Sequence, residues 1–211
     1  GTIESTVSAN VAAGFSIVNY VGNGTAGSTI GTGLSAPAEM IIVKSTSIID
    51  NWWTWHKGLT SIDYYLTLNN NTKETYFAGN IFGGTLPTSS VFSVGADIST
   101  NGLNNKLIAY CWHSVAGYSK IDSYAGTGAT NKVYTGFEPA FIIGKCSSDN
   151  TTNWWIFDNK RGDEVLYPNL SNGEDLLSNY VSFNIDGFTL SNAAFVNQSG
   201  RTYIYLAIAT S

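Results

Sequence analysis

The chain has 211 residues, of which 43% are hydrophobic, 13% aromatic and only 12% charged, with a net charge of −5. That apolar content excludes a disordered chain, the acidic balance with ten scattered Lys and Arg excludes a phosphate-binding stripe, and no apolar run approaches the roughly 20 residues of a membrane helix. Abundant Gly, Ser, Thr and Asn suit short strands joined by polar turns, with hydroxyls and amides rather than charges keeping the surface wet. Gly1-Thr2-Ile3-Glu4 lacks the basic start and apolar core of a secretory leader.

Residues 1–13 are small and polar and read as a lead-in segment with one edge strand. Gly14-Phe15-Ser16-Ile17-Val18-Asn19-Tyr20 alternates as a strand does. The glycines of Gly22-Asn23-Gly24-Thr25-Ala26-Gly27 then permit a tight turn. A phosphate loop would need a Lys-Ser or Lys-Thr pair and a helix behind it, and neither follows. Met40-Ile41-Ile42-Val43-Lys44 is an apolar run typical of a strand buried on both faces. Asn51-Trp52-Trp53-Thr54-Trp55-His56 comes next, then Tyr64-Tyr65-Leu66-Thr67-Leu68, a looser aromatic stretch to Phe82, a strand at Val91-Phe92-Ser93-Val94, a turn over 101–105, and a closing strand from Leu107 to Trp112.

The same order then restarts. Gly117-Tyr118-Ser119-Lys120-Ile121 matches the first strand, and Gly126-Thr127-Gly128 matches Gly22-Asn23-Gly24. Phe137 to Lys145 matches 37–44, and Asn153-Trp154-Trp155-Ile156-Phe157-Asp158 matches the Trp strand. Phe188-Thr189-Leu190 and Tyr203-Ile204-Tyr205-Leu206-Ala207 complete the set. Six segments in one order define an internal repeat, with repeat 1 at 14–116 and repeat 2 at 117–211, expected to pack as one unit. The fold class expected is all-β: an antiparallel β-sandwich, jelly-roll or lectin-like, built from two tandem pseudo-symmetric repeats of about 100 residues. A single helical turn is expected only at 173–178, and the apolar last strand is expected inside a sheet rather than at its edge.

On the Trp strands, side chains alternate between faces. Trp53 with Trp55, and Trp155 with Phe157, are expected to fill the core. The opposite face carries the candidate ligand-binding residues Trp52, His56, Trp154 and Asp158. Aromatic faces stack on sugar rings while amides and carboxylates hold hydroxyls, a composition that also builds any Trp-rich sandwich.

No catalytic set emerges from the sequence. Asp50, Asp158, Asp163 and Glu164 lie near the Trp strands but at no spacing that sets two carboxyls across a groove. His56 and His113 lack a nucleophile motif such as Gly-x-Ser-x-Gly. Two His and two distant Cys do not make a metal site, and the loops at 97–105 and 147–150 follow no calcium-ligand spacing. Cys111 and Cys146 hold non-equivalent places, so no bridge between them is expected. Lys44 and Lys145 end equivalent strands and are expected to be solvated there. No cofactor is expected.

The chain resembles a duplicated β domain of bacteriophage tail-fibre and other virion structural proteins, mostly of marine phages. The resemblance rests on Gly14-Phe15-Ser16-Ile17-Val18 with Gly22-Asn23-Gly24, on Met40-Ile41-Ile42-Val43-Lys44, Asn51-Trp52, Val91-Phe92-Ser93-Val94-Gly95, Ala109-Tyr110-Cys111-Trp112 and Gly117-Tyr118-Ser119-Lys120. It covers nearly everything from Gly14 onward and carries over no catalytic residue. It implies a non-enzymatic component of the virion surface, used for host attachment or particle decoration. With the residue reading above, the expected partners are other virion proteins, a host-surface glycan bound weakly through the aromatic, amide and carboxylate groups, and further copies of the chain, a trimer among them. Nucleic acid and membrane insertion are not expected. The alternatives are a glycan-degrading tail enzyme and a purely architectural trimer or fibre module without a ligand.

Overall fold

The computed structural model describes residues 1–211 except 163, 177–179, 192–193 and 211. The protein is all-β with antiparallel sheets, and it divides into two compact units. Unit 1 comprises Gly1–Leu68 and Glu74–Ser114, and unit 2 comprises Asn69–Lys73 and 115–211.

Unit 1 holds β1 (Ser5–Asn10), β2 (Phe15–Val21), β3 (Ser28–Gly31), β4 (Met40–Ser45), β5 (Trp52–His56), β6 (Tyr64–Thr67), β7 (Thr75–Tyr76), β8 (Val91–Val94), the one-turn α1 (Ile98–Asn101) and β9 (Lys106–Trp112). A seven-stranded sheet runs β1-β2-β9-β4-β5-β6-β7, and β3 pairs with β8. Alternation makes the two faces of this sheet different. Val18, Tyr20, Ile41, Val43, Leu107, Ala109 and Cys111 are buried on the inner face. Phe92 of β8 meets Tyr20 of β2 edge-on, with centroids 6.4 Å apart, so the small pair packs against the large sheet.

Unit 2 holds β10 (Ser119–Ala125), β11 (Asn131–Tyr134), β12 (Pro139–Cys146), β13 (Trp155–Asp158), β14 (Glu164–Val165), β15 (Asp175–Leu176), β16 (Val181–Asn184), β17 (Gly187–Leu190), α2 (Ala194–Asn197) and β18 (Thr202–Ala209). Its main sheet runs β10-β18-β12-β13, with β11-β17-β16 as a second layer. Ile142, Trp155, Phe157, Tyr205 and Ala207 of the first pack with Val133, Val181, Phe188 and Leu190 of the second. The apolar β18 lies between two strands, as expected. At 173–178 the structure differs from the single turn expected: Asp175 and Leu176 pair with Val165 and Glu164 as a short ladder, and 177–178 lie outside the described residues.

The order β2-β9-β4-β5 in unit 1 parallels β10-β18-β12-β13 in unit 2, each main sheet seating its last strand between its first and third long ones. We propose that the units arose by duplication. The sharpest likeness is a pair of buried amides that sequence reading missed. Asn101, at the end of α1 and fully buried, accepts from the Asn23 N–H at 2.9 Å and donates to the carbonyls of Thr25 and Gly95 at 2.9 and 2.8 Å. Asn197, at the end of α2 and equally buried, accepts from the Thr127 N–H at 2.9 Å and donates to the carbonyls of Ala129 and Ser191. Tyr20 donates its hydroxyl to Thr100 O and Tyr124 donates its hydroxyl to Val196 O, at 2.7 and 2.6 Å. Gly22 and Gly126 let the loop pass, since a Cβ would come within 2.3 Å of Gly102 O and 2.1 Å of Gln198 O respectively.

The repeated aromatics are packed less symmetrically than expected. Trp155, Phe157 and Trp55 are buried, but Trp53 is only half-buried, tilted against Tyr65 with centroids 4.8 Å apart. The cause lies across the ladder. Trp155 stands opposite Gly144, and its ring occupies the space where a Cβ would sit, 2.2 Å from that position. Trp53 stands opposite Val43, whose buried side chain fills the corresponding place. The large core contribution therefore falls on Trp155.

Asn101→Ala removes one acceptor and two donors from buried backbone partners and is expected to destabilise the fold by about 2–4 kcal/mol. Chemical denaturation measures it, and a loss below about 0.5 kcal/mol would mean that the amide is dispensable. Trp155→Ala should cost about 3–5 kcal/mol, and Trp53→Ala clearly less.

Candidate functional site

Four outward positions on the Trp strands were candidates, two in each unit. In unit 1, Trp52 is half-buried and His56 is buried. In unit 2, Trp154 is buried, and Asp158 is half-buried. His56 and Asp158 prove to do the same local work with different chemistry. His56 Nδ1 accepts the Gly58 N–H at 2.9 Å. Asp158 Oδ1 accepts the N–H groups of Lys160 and Arg161, both at 3.0 Å. Each side chain thus ties down the turn that follows its Trp strand.

Trp52 belongs to a larger array. Its ring stacks on Tyr110 of β9 at 6.4 Å and 24°, Tyr110 stacks on Trp112 at 6.2 Å and 24°, and Trp112 stacks on Phe15 of β2 at 5.0 Å and 30°. These four rings lie on the outer face of the unit 1 sheet, opposite the core, and all are half-buried. In the ladder, β4 lies between Trp52 on β5 and Tyr110 on β9, so the two rings lean together over it and cover Ile42, which is only 7% exposed. The array both seals β4 and presents aromatic surface outward.

At the far end of the same sheet lies an open cleft of about 500 Å³, lined by the start of β1, the end of β2 and the start of β9. Glu4, Thr6, Asn19, Thr46 and Lys106 give it a polar wall on the outer face, and Tyr20 and Leu107, whose side chains turn to the inner face, line it between them. Tyr20 spends its hydroxyl on Thr100 O, and burial pushes its acidity well below that of an ordinary phenol. No sequence signal marked this cleft, because its residues come from distant stretches that only the sheet order brings together.

Asp158 and Glu39 are held by partners. Burial opposes ionisation of Asp158, but the side-chain and backbone hydrogen bonds from Arg161, and that from the Lys160 amide, outweigh it and hold the carboxyl below its usual range. Arg161 Nε donates to it at 2.7 Å, while Glu174 lies 3.9 Å from the guanidinium. Glu39 behaves alike, with burial outweighed by hydrogen bonds from Ser114 and Lys57. Asp163 lies outside the described residues. His113 donates to Ser114 O at 2.8 Å. Among the described residues no His, Cys, Asp and Glu cluster could hold a metal ion. Cys111 and Cys146 are free buried thiols, and burial pushes Cys111 up to about 12.

Lys145 departs from expectation. Rather than ending its strand in solvent, it is fully buried, and its Nζ donates to Cys146 O at 2.7 Å and reaches Asp149 O and Thr152 Oγ1 at 3.4 Å. Lys44 is half-buried and donates to Asp50 O at 2.6 Å. Each lysine bonds a carbonyl of the loop leading to its Trp strand, and that bond, not solvent, sets the direction of the side chain.

The family model described as a domain of unknown function (DUF7483) matches residues 1–211. The chain therefore belongs to that family. No curated protein and no solved structure gives a significant match.

Burial lowers Lys145 from the ordinary amine value of 10.5 to about 8. The folded state therefore binds fewer protons than the unfolded state between those values, and stability from this group rises as pH climbs from about 8 to 10.5. Lys145→Met removes the titration. Relative to Lys145→Met, the native chain should gain about 2 kcal/mol of stability between pH 7.5 and 10. Parallel denaturation curves for the two proteins check this, since the tyrosines titrate in both. A constant difference would place the ammonium in solvent.

Proposed function

We propose that the chain is a non-enzymatic surface domain of a bacteriophage virion, serving host attachment or particle decoration through weak glycan binding. The observation that carries this reading is the half-exposed array Trp52–Tyr110–Trp112–Phe15 on the outer face of unit 1. Sugar rings stack on such faces, and rigid aromatic side chains lose little entropy on binding. The acid–base groups near the Trp strands support a binding role over hydrolysis. A glycosidase needs one protonated and one ionised carboxyl facing each other, whereas Asp158 is held ionised against Arg161. The low charge of the chain agrees with recognition by hydroxyl, amide and ring rather than by ion pairing. The virion setting comes from the sequence resemblance, and copies of the chain with other virion proteins would be its structural partners.

Surface attachment gains from many weak contacts presented together, so a single copy need bind only at about the millimolar level. A glycan array probed with the chain clustered on beads should show binding at least about 100-fold tighter than the monomer, with little dependence on salt. Trp52→Ala should abolish the signal while leaving cooperative unfolding in place. Silence of the clustered chain on every glycan would remove the binding reading. Release of reducing ends that vanishes on Asp158→Asn or Glu164→Gln would make the chain an enzyme instead.

A further inference from the structure

The cleft of unit 1 lies on the same sheet face as the ring array, and register connects the two. Thr6 stands opposite Asn19, Asn19 opposite Ile108, Ile108 opposite Lys44, and Lys44 opposite Trp52. This row crosses β1, β2, β9, β4 and β5, four strand spacings or about 19 Å. Every side chain in it is at least partly exposed, and Thr6 and Asn19 at the cleft end are exposed. Two rows further along, Met40 and His56 on the same face are buried while Trp112 and Phe15 of that row stay half-exposed, so the track from the cleft to Trp52 runs beside the ring array.

The chemistry of the cleft changes along the track from ring to hydrogen bond. Alternation directs Thr6, Asn19 and Lys106 outward on this face. Among the described residues the side chains of Glu4 and Lys106 take part in none of the ion pairs. The cleft carries one carboxylate and one ammonium, so its lining has no net charge, and a polyhydroxyl ligand can donate to Glu4 and accept from Lys106. Asn19 does both, and Thr6 and Thr46 add hydroxyls.

We propose that this cleft is the end subsite for a neutral saccharide unit of a glycan whose next units run along the row to Trp52. The inference rests on the glycan reading above and names its ligand class and the residues that fix its terminal sugar. Asn19 and Lys106 are exposed, so their truncation leaves the core intact.

The test uses the whole chain, labelled for amide NMR, titrated with methyl glycosides of glucose, galactose and mannose, with N-acetylglucosamine, and with glucuronate. At least one neutral sugar should shift the Asn19 side-chain amide at millimolar concentration. Asn19→Ala and Lys106→Ala should each weaken that sugar at least five-fold with an unchanged melting temperature. Glucuronate binding more tightly than every neutral sugar, with an affinity that falls as salt rises, would overturn the neutral assignment. Shifts confined to Trp52 and Tyr110 would remove the cleft as a subsite and leave the glycan reading standing. No shift anywhere, together with silence of the clustered chain on the glycan array, would sink both.

Discussion

The fold of each unit depends on a carboxamide buried where water cannot reach it. A buried amide left unpaired costs several kcal/mol, so it persists only where every hydrogen-bonding group finds a partner. Asn101 meets that demand by reaching Asn23, Thr25 and Gly95, and Asn197 by reaching Thr127, Ala129 and Ser191. The result joins the loop after the first long strand to the helical turn before the last. The backbone completes the tie: Gly22 N–H donates to Asn105 O and Gly126 N–H donates to Arg201 O, at 2.9 and 2.8 Å. With those loops locked, the last strand has one place to go, against the first. That is the neighbour relation β2–β9 and β10–β18 on which the rest of each sheet is hung. In unit 1 the same tie ends beside Val21 and Lys106, and so fixes the wall of the cleft.

With few charges to spend, the chain fixes its turns by local acceptors. His56 and Asp158 hold the turns after the Trp strands, Asp97 caps α1 by accepting the Ser99 N–H, and Glu74 takes both the N–H and the hydroxyl of Thr60. Each is a short polar side chain satisfying a backbone donor that would otherwise compete with the sheet. The exchange of His for Asp between the two Trp strands is therefore conservative in the sense that matters locally. Reading those positions as ligand groups overlooked the turn that each one has to hold.

Most strands were legible because those with one open face alternate in a period of two, as at 15–21, while those buried on both faces read as continuous apolar runs, as at 40–43 and 203–207. The two helical turns were not, since four residues give no helical period. The signature that was present, Asp97 before Ile98 and Gly102 after Asn101, is a pair of caps rather than a pattern. Partnership across strands was also hidden. That Trp155 is buried and Trp53 is not depends on Gly144 and Val43 opposite them, and a single strand cannot state its neighbour's size. Lys145 misled for a related reason. A strand-end lysine reads as solvated until the carbonyls of its own following loop fold back over it.

The two main sheets share their strand order, yet the matching row on their outer faces is packed differently. In unit 2 the outward residues of β18 are Ile204 and Leu206, fully or nearly buried, and the row continues through the buried Lys145 to the buried Trp154. In unit 1 the corresponding row runs through Ile108 and Lys44 to Trp52, all half-exposed, with Tyr110 and Trp112 alongside. A buried aliphatic row adds stability through apolar area removed from water. A half-exposed aromatic row forgoes part of that gain. The rings recover some of it by stacking on one another and by covering Ile42. The remainder is surface that the fold does not need to leave apolar, and it lies on the unit that also carries the cleft. For a chain of low charge, such a face is where contacts with a polyhydroxyl surface can form without desolvating ions.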